Sequence, residues 1–358
     1  MDANRTEIER WILANLTPQP STTAELMYER MESQSGRCLP VLYEPLDNTK
    51  RSHWHDEALI GAFAHAMGDA SVILDVGPGD GWPALRIAHR FKKIIGIDPS
   101  PRRVRVQCEN AERLGIDNVE FRVMDAEEMS FRNGSFGGVT AASSIEQCAN
   151  PEQALREVFR VLTPGGTLAM IFEDYDVCFA DSEGDEKLRG ELTDGEAVVF
   201  YQVRRKSPPR ETWYALFLDR ERLNADPEFL EAVENISETP VELDGAAGGD
   251  GFVAPAETFG VTLLVGLAPF IADTKYFELN HLTSGTVNEL LARVGFVEMR
   301  HLDHRLPELL AFYDAALKAG KLGENGPVLD IVAEVFGISA VERAGERLGD
   351  FVLAKKPG

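Results

Sequence analysis

The chain is poor in the features that tie a protein to nucleic acid, to a membrane or to an oxidising compartment. Basic residues are scarce: 36 Lys and Arg stand against 59 Asp and Glu, for a formal charge of −23, and no Lys/Arg-rich run relieves the deficit. A surface of that sign repels phosphate backbones, so the expectation is no nucleic-acid partner and a neutral or cationic small molecule instead. Cysteine is rare as well. Cys38, Cys108, Cys148 and Cys178 form no CxxC pair, which argues against a thiolate zinc site and reads as free thiols in a reducing compartment. Long apolar runs are missing: the longest, residues 261–271, contains glycine and proline and is too short to span a bilayer. The start, MDANRTEIERWILANL, mixes charges with apolar residues at helical spacing and lacks the basic start and unbroken apolar run of a signal peptide. A cytoplasmic protein with no membrane span is expected. No internal repeat is visible.

What the sequence does have is 358 residues at 44% hydrophobic, enough for a large core. From Ser71 to Asp176 short apolar runs alternate with helix-like stretches. Strands are expected at 72–76, 93–97, 119–123, 138–142 and 167–172, with helices at 83–90, 102–114 and 151–162 between them. Such alternation means βαβ units and a parallel sheet. After Asp174 the rhythm breaks. Residues 196–205 and 211–219 read as two strands around the turn Lys206-Ser207-Pro208-Pro209, residues 227–235 as a short helix, and 243–251 as a Gly/Ala/Asp loop. The core pattern returns with a helix at 283–294, a strand at 296–301, a mostly helical stretch at 306–348 and a closing strand at 350–354. The expected organisation is a helical lid or cap over residues 1–70, a core over 71–178, an inserted α+β subdomain over 179–279, and the rest of the core over 280–358.

Three loops carry chemistry. Asp75-Val76-Gly77-Pro78-Gly79-Asp80-Gly81 lies between a strand and a helix. Its glycines allow a tight turn and close approach of a ligand to the backbone, and the helix beyond offers unpaired N–H groups. The spacing is GxGxG with an acid two residues ahead, not the GxGxxG of dinucleotide binders, and an acid there suits a cationic amino group better than a pyrophosphate. The alternative is a strand–helix turn with no ligand. Asp98, followed by Pro99, ends the second strand about twenty residues after Gly77, where an acid can take ribose hydroxyls or simply face solvent. Met124-Asp125-Ala126-Glu127 follows the third strand; Asp125 could accept from an exocyclic amine while the Ala126 N–H serves a ring nitrogen. All three loops are expected at the carboxyl edge of the sheet, where open α/β sheets bind ligands.

The runs LDVGPGDGWPALRIA, IIGIDPS, VEFRVMDAEEMSF and FRVLTPGGTLAM, in that order, resemble the class I S-adenosylmethionine-dependent methyltransferases, nearest to the small-molecule, type 11-like branch that includes quinone and sterol methylators. The likeness covers about residues 70–175 and returns at LTSGTVNELLARVGFVEMRHLD and DFVLAKKP. It implies a doubly wound α/β fold: a mostly parallel seven-stranded sheet whose last strand is antiparallel. It implies S-adenosyl-L-methionine as cofactor and S-adenosyl-L-homocysteine as product, with Gly77, Pro78, Gly79 and Gly81 lining the methionine part and Asp75 holding its amino group. Asp98 and Pro99 would lie at the ribose, Asp125, Ala126 and Glu127 at the adenine, and Ser143 and Ser144 beneath the sulfonium. The long insertion and the helical stretch before the last strand depart from the family minimum.

The base for methyl transfer is not written in a motif. Glu146 is one candidate, as a base or as the partner of a cationic substrate; the alternative is a helix-start acid facing solvent. His53 is a second candidate, in the cluster Tyr43, His53-Trp54-His55 ahead of the core. Tyr43, Trp54 and Tyr175 are candidate substrate contacts, against ordinary packing of Trp54 on the sheet. Arg51 could reach a cofactor carboxylate. Glu173-Asp174-Tyr175-Asp176 could hold magnesium, but a solvated acidic loop is the preferred reading and no metal is expected. In the insertion, Tyr201, Trp213, Tyr214 and Phe217 are expected to build one apolar face that roofs a site, pairs two subunits into a homodimer, or packs on the parent sheet. Methyl transfer to O, N, S or C of a small-molecule acceptor is the first reading. A non-catalytic S-adenosylmethionine-binding interaction protein and a nicotinamide-dependent oxidoreductase are the alternatives.

Overall fold

The computed structural model describes residues 5–30, 47–238, 241–244, 260–322, 326–345 and 349–358. They fall into two compact units: Met27–Asp174 with Leu282–Gly358, and Met1–Leu26 with Tyr175–His281.

The first unit holds one seven-stranded sheet: β1 (Val72–Val76), β2 (Lys93–Asp98), β3 (Val119–Val123), β4 (Phe136–Ala142), β5 (Leu162–Ile171), β6 (Val297–Leu302) and β7 (Phe351–Lys355). Their order is β6-β7-β5-β4-β1-β2-β3. β1 to β5 pair in parallel, and β7 lies antiparallel between β5 and β6. The strands are apolar at consecutive positions because both faces are covered. Ile73 and Leu74 are each fully buried, but Ile73 packs in one apolar cluster and Leu74 in the other. On the Ile73 side lie α1 (Arg51–Ala66), α2 (Pro101–Leu114) and, after the last turn of sequence, α5 (Pro307–Lys318) and α6 (Gly326–Glu342). On the Leu74 side lie α3 (Pro151–Val161) and α4 (Ser284–Val294). α3 shows why these segments are helical. Ala154, Leu155, Val158 and Val161 recur on one buried stripe, Asn150 caps the first turn by accepting from the Gln153 N–H, and Pro151 opens the helix. Burial of each such aliphatic side chain contributes roughly 1.5–3 kcal/mol.

Some boundaries differ from the sequence reading, for local reasons. β5 begins at Leu162, not at Thr167: the strand runs through an irregularity at Pro164-Gly165-Gly166, where Gly165 has φ 78°, and its pairing with β4 shifts register between Phe136 and Gly138. Only one α turn, Ala84–Ile87, follows the glycine loop, before a 3₁₀ turn at Ala88–Arg90.

The second unit has a six-stranded sheet ordered Gln19–Pro20, Ile271–Asn280, Arg210–Leu218, Ala197–Arg205, Gly184–Leu192 and Val241–Asp244. Helices Glu7–Asn15, Pro227–Glu238 and Val261–Leu267 pack on one face through Ile8, Ile12, Val233, Ile236, Leu263 and Leu264. Two expectations are corrected here. Residues 1–70 are not one segment: the chain divides after Leu26, because Ile8 and Ile12 belong to the core of the second unit while α1 belongs to the first. Nor do the four aromatic residues share a face. Tyr201 stacks on Tyr214 within the helix-covered core, whereas Trp213 stacks on Phe277 on the opposite face, as strand alternation requires of neighbours 213 and 214. Most of the expected loop at 243–251 lies outside the described residues. Among the described residues, no helix is long and apolar enough to cross a membrane.

Candidate cofactor site and active-site residues

The strand order reverses between β1 and β4, and the loops after β1, β2, β3 and β4 gather at that reversal. This is the switch point at which open α/β sheets take ligands. Asp75, on β1, is wholly buried; one carboxylate oxygen accepts from the Ala84 N–H at 3.0 Å, and the other, Oδ1, has no hydrogen-bond partner. Burial raises its pKa to about 8, against the opposing pull of the nearby Thr140 hydroxyl and of the Ala84 N–H. A buried acceptor one bond short, held in a medium that disfavours its charge, is suited to a cation.

The glycine loop is built for close approach. Gly77, Gly79 and Gly81 have φ of 65°, 58° and 114°, a region that side chains disfavour. A Cβ at Gly77 would lie 2.5 Å from the Ser144 Cβ. The Gly77 N–H donates to the Ile97 carbonyl at 2.8 Å and ties the loop to β2, while Ser144 Oγ donates to the Val76 carbonyl at 2.6 Å and ties it to β4. Pro78 is buried and Pro99 exposed. Ser143, exposed at the end of β4, has φ 51°, a strained conformation of the kind that collects at functional sites.

Asp98 ends β2 and is 5% exposed. Its Oδ1 accepts from the Ser100 N–H at 2.9 Å, and its Oδ2 lies 3.4 Å from Gln107 Nε2. Burial raises its pKa to about 6 despite these bonds and the nearby Arg103 charge. After β3, exposed Asp125 accepts from the Glu127 N–H at 2.8 Å, Ala126 is buried, and Glu127 Oε1 accepts from the Asn150 N–H at 2.9 Å. The structure thus brings the four loops of this unit to one sheet edge.

The candidates for substrate chemistry are placed differently. Glu146 is 1% exposed in a 3₁₀ turn after β4, not on a solvent-facing helix start, and its Oε1 accepts from the Glu173 N–H at 3.1 Å, joining the β4 and β5 ends. Cys148 beside it is a neutral thiol, since burial pushes its pKa well above the ordinary range. His53 is buried on the first turn of α1, and its Nδ1 accepts from the Asp47 N–H at 2.9 Å. Trp54 is 1% exposed, edge-on to Tyr313, with Nε1 donating to the Asn48 carbonyl at 2.8 Å. It is therefore a core residue rather than a surface for substrate. Arg51 reaches Asp314 at 3.6 Å. Tyr43 lies outside the described residues.

Tyr175 belongs to a buried polar cluster of the second unit that sequence reasoning missed. Its hydroxyl donates to Glu211 Oε2 at 3.2 Å, and its ring stacks on His281 at 4.1 Å between centroids. His281 Nε2 lies 2.8 Å from the same oxygen, and Gln202 Nε2 donates to Oε1 at 2.7 Å with Trp213 Nε1 alongside. Burial pushes the Glu211 pKa up, but these donors outweigh it and hold the carboxyl below its ordinary value. The other ring nitrogen, His281 Nδ1, is buried and has no hydrogen-bond partner. The contributing positions are scattered over 175–281, and only the alternation of strand 210–218 hints at them.

Among the described residues, one group has the donor types and spacing of a metal site, Asp303, His304 and Asp350. Its atoms are engaged with one another and with Arg305: His304 Nδ1 lies 2.6 Å from Asp350 Oδ2, and Arg305 pairs with both oxygens of Asp303. In the acidic run after β5, Asp174 accepts from the Ser284 N–H at 3.1 Å and Asp176 is exposed.

A family model described as a methyltransferase domain matches residues 74–170. The chain is similar to the demethylmenaquinone methyltransferase of Thermus thermophilus, 36% identical over 101 residues, 28% of this chain and 46% of that protein. It is similar to the 27-O-demethylrifamycin SV methyltransferase of Amycolatopsis mediterranei, 30% identical over 139 residues, 35% of this chain and 50% of that protein. It is also similar to the ubiquinone/menaquinone biosynthesis C-methyltransferase UbiE of Brucella canis, 33% identical over 138 residues, 37% of this chain and 51% of that protein. The chain spans about half the length of these curated relatives.

Proposed function

We propose, from the match of residues 74–170 to a methyltransferase domain and from the geometry of the loops at the sheet edge, that the whole protein is a class I enzyme that transfers the methyl group of S-adenosylmethionine to a small-molecule acceptor. The observation that carries this reading is Asp75 Oδ1, a buried acceptor without a partner beside a loop whose three glycines have positive φ and where a Cβ on Gly77 would run into Ser144. The residues fit the cofactor. Asp75 holds its ammonium group, and Gly77, Gly79 and Gly81 let the methionine part lie against the backbone. Asp98 accepts from the ribose hydroxyls, Asp125 and the Ala126 N–H meet the adenine edge, and Ser143 and Ser144 lie under the sulfonium.

When bound, the cofactor supplies an electrophilic methyl group on sulfur. The protein's part is orientation: a donor and acceptor held in line react as one molecule rather than two. Glu146 serves that end by tying the β4 loop to the end of β5, and His53 by closing the turn ahead of α1. Both are positioning residues in this reading. A quinone-like or polyphenolic acceptor is suggested by the names of the relatives.

The test is release of S-adenosylhomocysteine from the purified protein supplied with S-adenosylmethionine and a panel of acceptors that includes demethylmenaquinone and 27-O-demethylrifamycin SV. Acceptor-dependent release that disappears in Asp75→Ala is the expected outcome. Tight cofactor binding with no release for any member of a broad panel would favour the non-catalytic alternative.

A further inference from the structure

Three polar side chains on one face of α2 point at the glycine loop from behind: Arg103, Gln107 and Asn110, at helical spacing and all buried. Arg103 Nη1 donates to Asp80 Oδ1 at 2.8 Å, and both side chains are wholly buried. Asn110 Nδ2 donates to the Asp80 carbonyl at 2.9 Å. Gln107 Nε2 donates to the Gly79 carbonyl at 2.7 Å and lies 3.4 Å from Asp98 Oδ2. Gln107 Oε1 is buried and has no hydrogen-bond partner.

These groups are costly to bury. An ion pair at zero exposure gains little over an apolar pair of the same size, so its use is geometric. Gln107 is the informative member, because its amide touches two loops at once. Its orientation is fixed by chemistry: turned over, it would set Oε1 against a carbonyl and a carboxylate, both acceptors. The amide N–H groups therefore bridge Gly79 and Asp98.

We infer that Gln107 is a positioning residue for the cofactor ribose: it sets the gap between the glycine loop and the Asp98 carboxylate, while Arg103 and Asn110 brace the loop at Asp80. This rests on the proposal that Asp98 accepts from the ribose hydroxyls. Asp98 keeps one oxygen on the Ser100 N–H, and Gln107 aims the other. Without the bridge, Asp98 still ends β2 but its second oxygen is free to turn.

The experiment compares calorimetric affinities for S-adenosylhomocysteine and its 2′-deoxy analogue in the wild-type chain, in Gln107→Met, which keeps length and loses the donor, and in Gln107→Glu, which sets a second carboxylate against Asp98. The wild type should prefer the hydroxylated ligand by about tenfold or more, as a charge-assisted hydrogen bond requires. Both variants should bind S-adenosylhomocysteine at least about tenfold more weakly, and their preference should shrink towards one. Thermal melting identifies any variant that fails to fold, and the other then decides. Equal weakening of both ligands, with the preference intact, overturns the inference, because a loosened fold has no reason to single out one hydroxyl. No preference in the wild type overturns the ribose assignment of Asp98 instead, and is recognised before any variant is made.

Discussion

Asp75 carries two demands that conflict in the ligand-free protein. Its carboxyl is wholly buried with one oxygen unpartnered, and burial lifts its pKa from 3.8 to about 8. The folded carboxyl therefore holds its proton up to about pH 8, while the unfolded one releases it near 3.8. Folding takes up a proton between pH 3.8 and about 8, so this contribution to the stability of the ligand-free chain is full below pH 3.8 and is lost progressively as pH rises through 8. Asparagine keeps an acceptor for the Ala84 N–H and removes the charge. Asp75→Asn should melt several degrees above wild type at pH 9 and close to it at pH 5, as followed by thermal denaturation without ligand. A variant that melts lower than wild type at pH 9 would show that the carboxylate is not held against its charge. The same residue was legible in the sequence by its place two positions before Gly77. Its unpartnered oxygen was not, because that depends on what β4 and the first turn after the loop leave uncovered.

At the scale of elements, the βαβ rhythm of residues 72–171 could be read directly, since the central parallel strands carry short apolar runs such as Val72-Ile73-Leu74 and Ile94-Ile95 between helix-like stretches. Gly115 and Gly295, both with positive φ, close α2 and α4 where the sequence suggested. The strands Gly184–Leu192 and Ile271–Asn280 were missed. The first, GDEKLRGEL, carries only two large apolar residues, and the second hides Tyr276 and Phe277 on opposite faces behind charged neighbours. Pairing with Ala197–Arg205 and Arg210–Leu218, not local propensity, makes them strands. The packing of α1 on α6 was equally hidden. Their backbones meet at glycines: a Cβ on Gly337 would collide with the Ala58 carbonyl oxygen, and one on Gly61 would lie 2.7 Å from Glu334. Gly337→Val should cost about 3 kcal/mol in urea denaturation, because the helices must separate. Gly195→Ala, with nothing within 4 Å of the new methyl, should stay within about 0.5 kcal/mol. Similar small effects from both would mean that the two helices are not in contact through their backbones.

At the scale of the whole molecule, the two units divide the account. The unit of Met27–Asp174 and Leu282–Gly358 holds every loop assigned to the cofactor, and there sequence and fold agree because a short ordered set of loops is tied to one sheet edge. The unit of Met1–Leu26 and Tyr175–His281 holds the Tyr175, Glu211 and His281 cluster, assembled from positions far apart in sequence, so no motif announces it. Substrate identity belongs to such assembled surfaces more than to motifs, which is why the cofactor could be read from the chain and the acceptor could not. The central claim is accordingly about the cofactor and the carboxyl that receives its ammonium group.

That claim is tested most directly by calorimetric titration of the purified protein with S-adenosylmethionine, S-adenosylhomocysteine and NAD at pH 7, each repeated in two buffers of different ionisation enthalpy. Micromolar binding of the first two, none of NAD, and proton release on binding are predicted, because an ammonium group beside Asp75 drives off the proton that burial keeps there up to about pH 8. Binding of NAD in their place, or cofactor binding that releases no proton, would contradict the account.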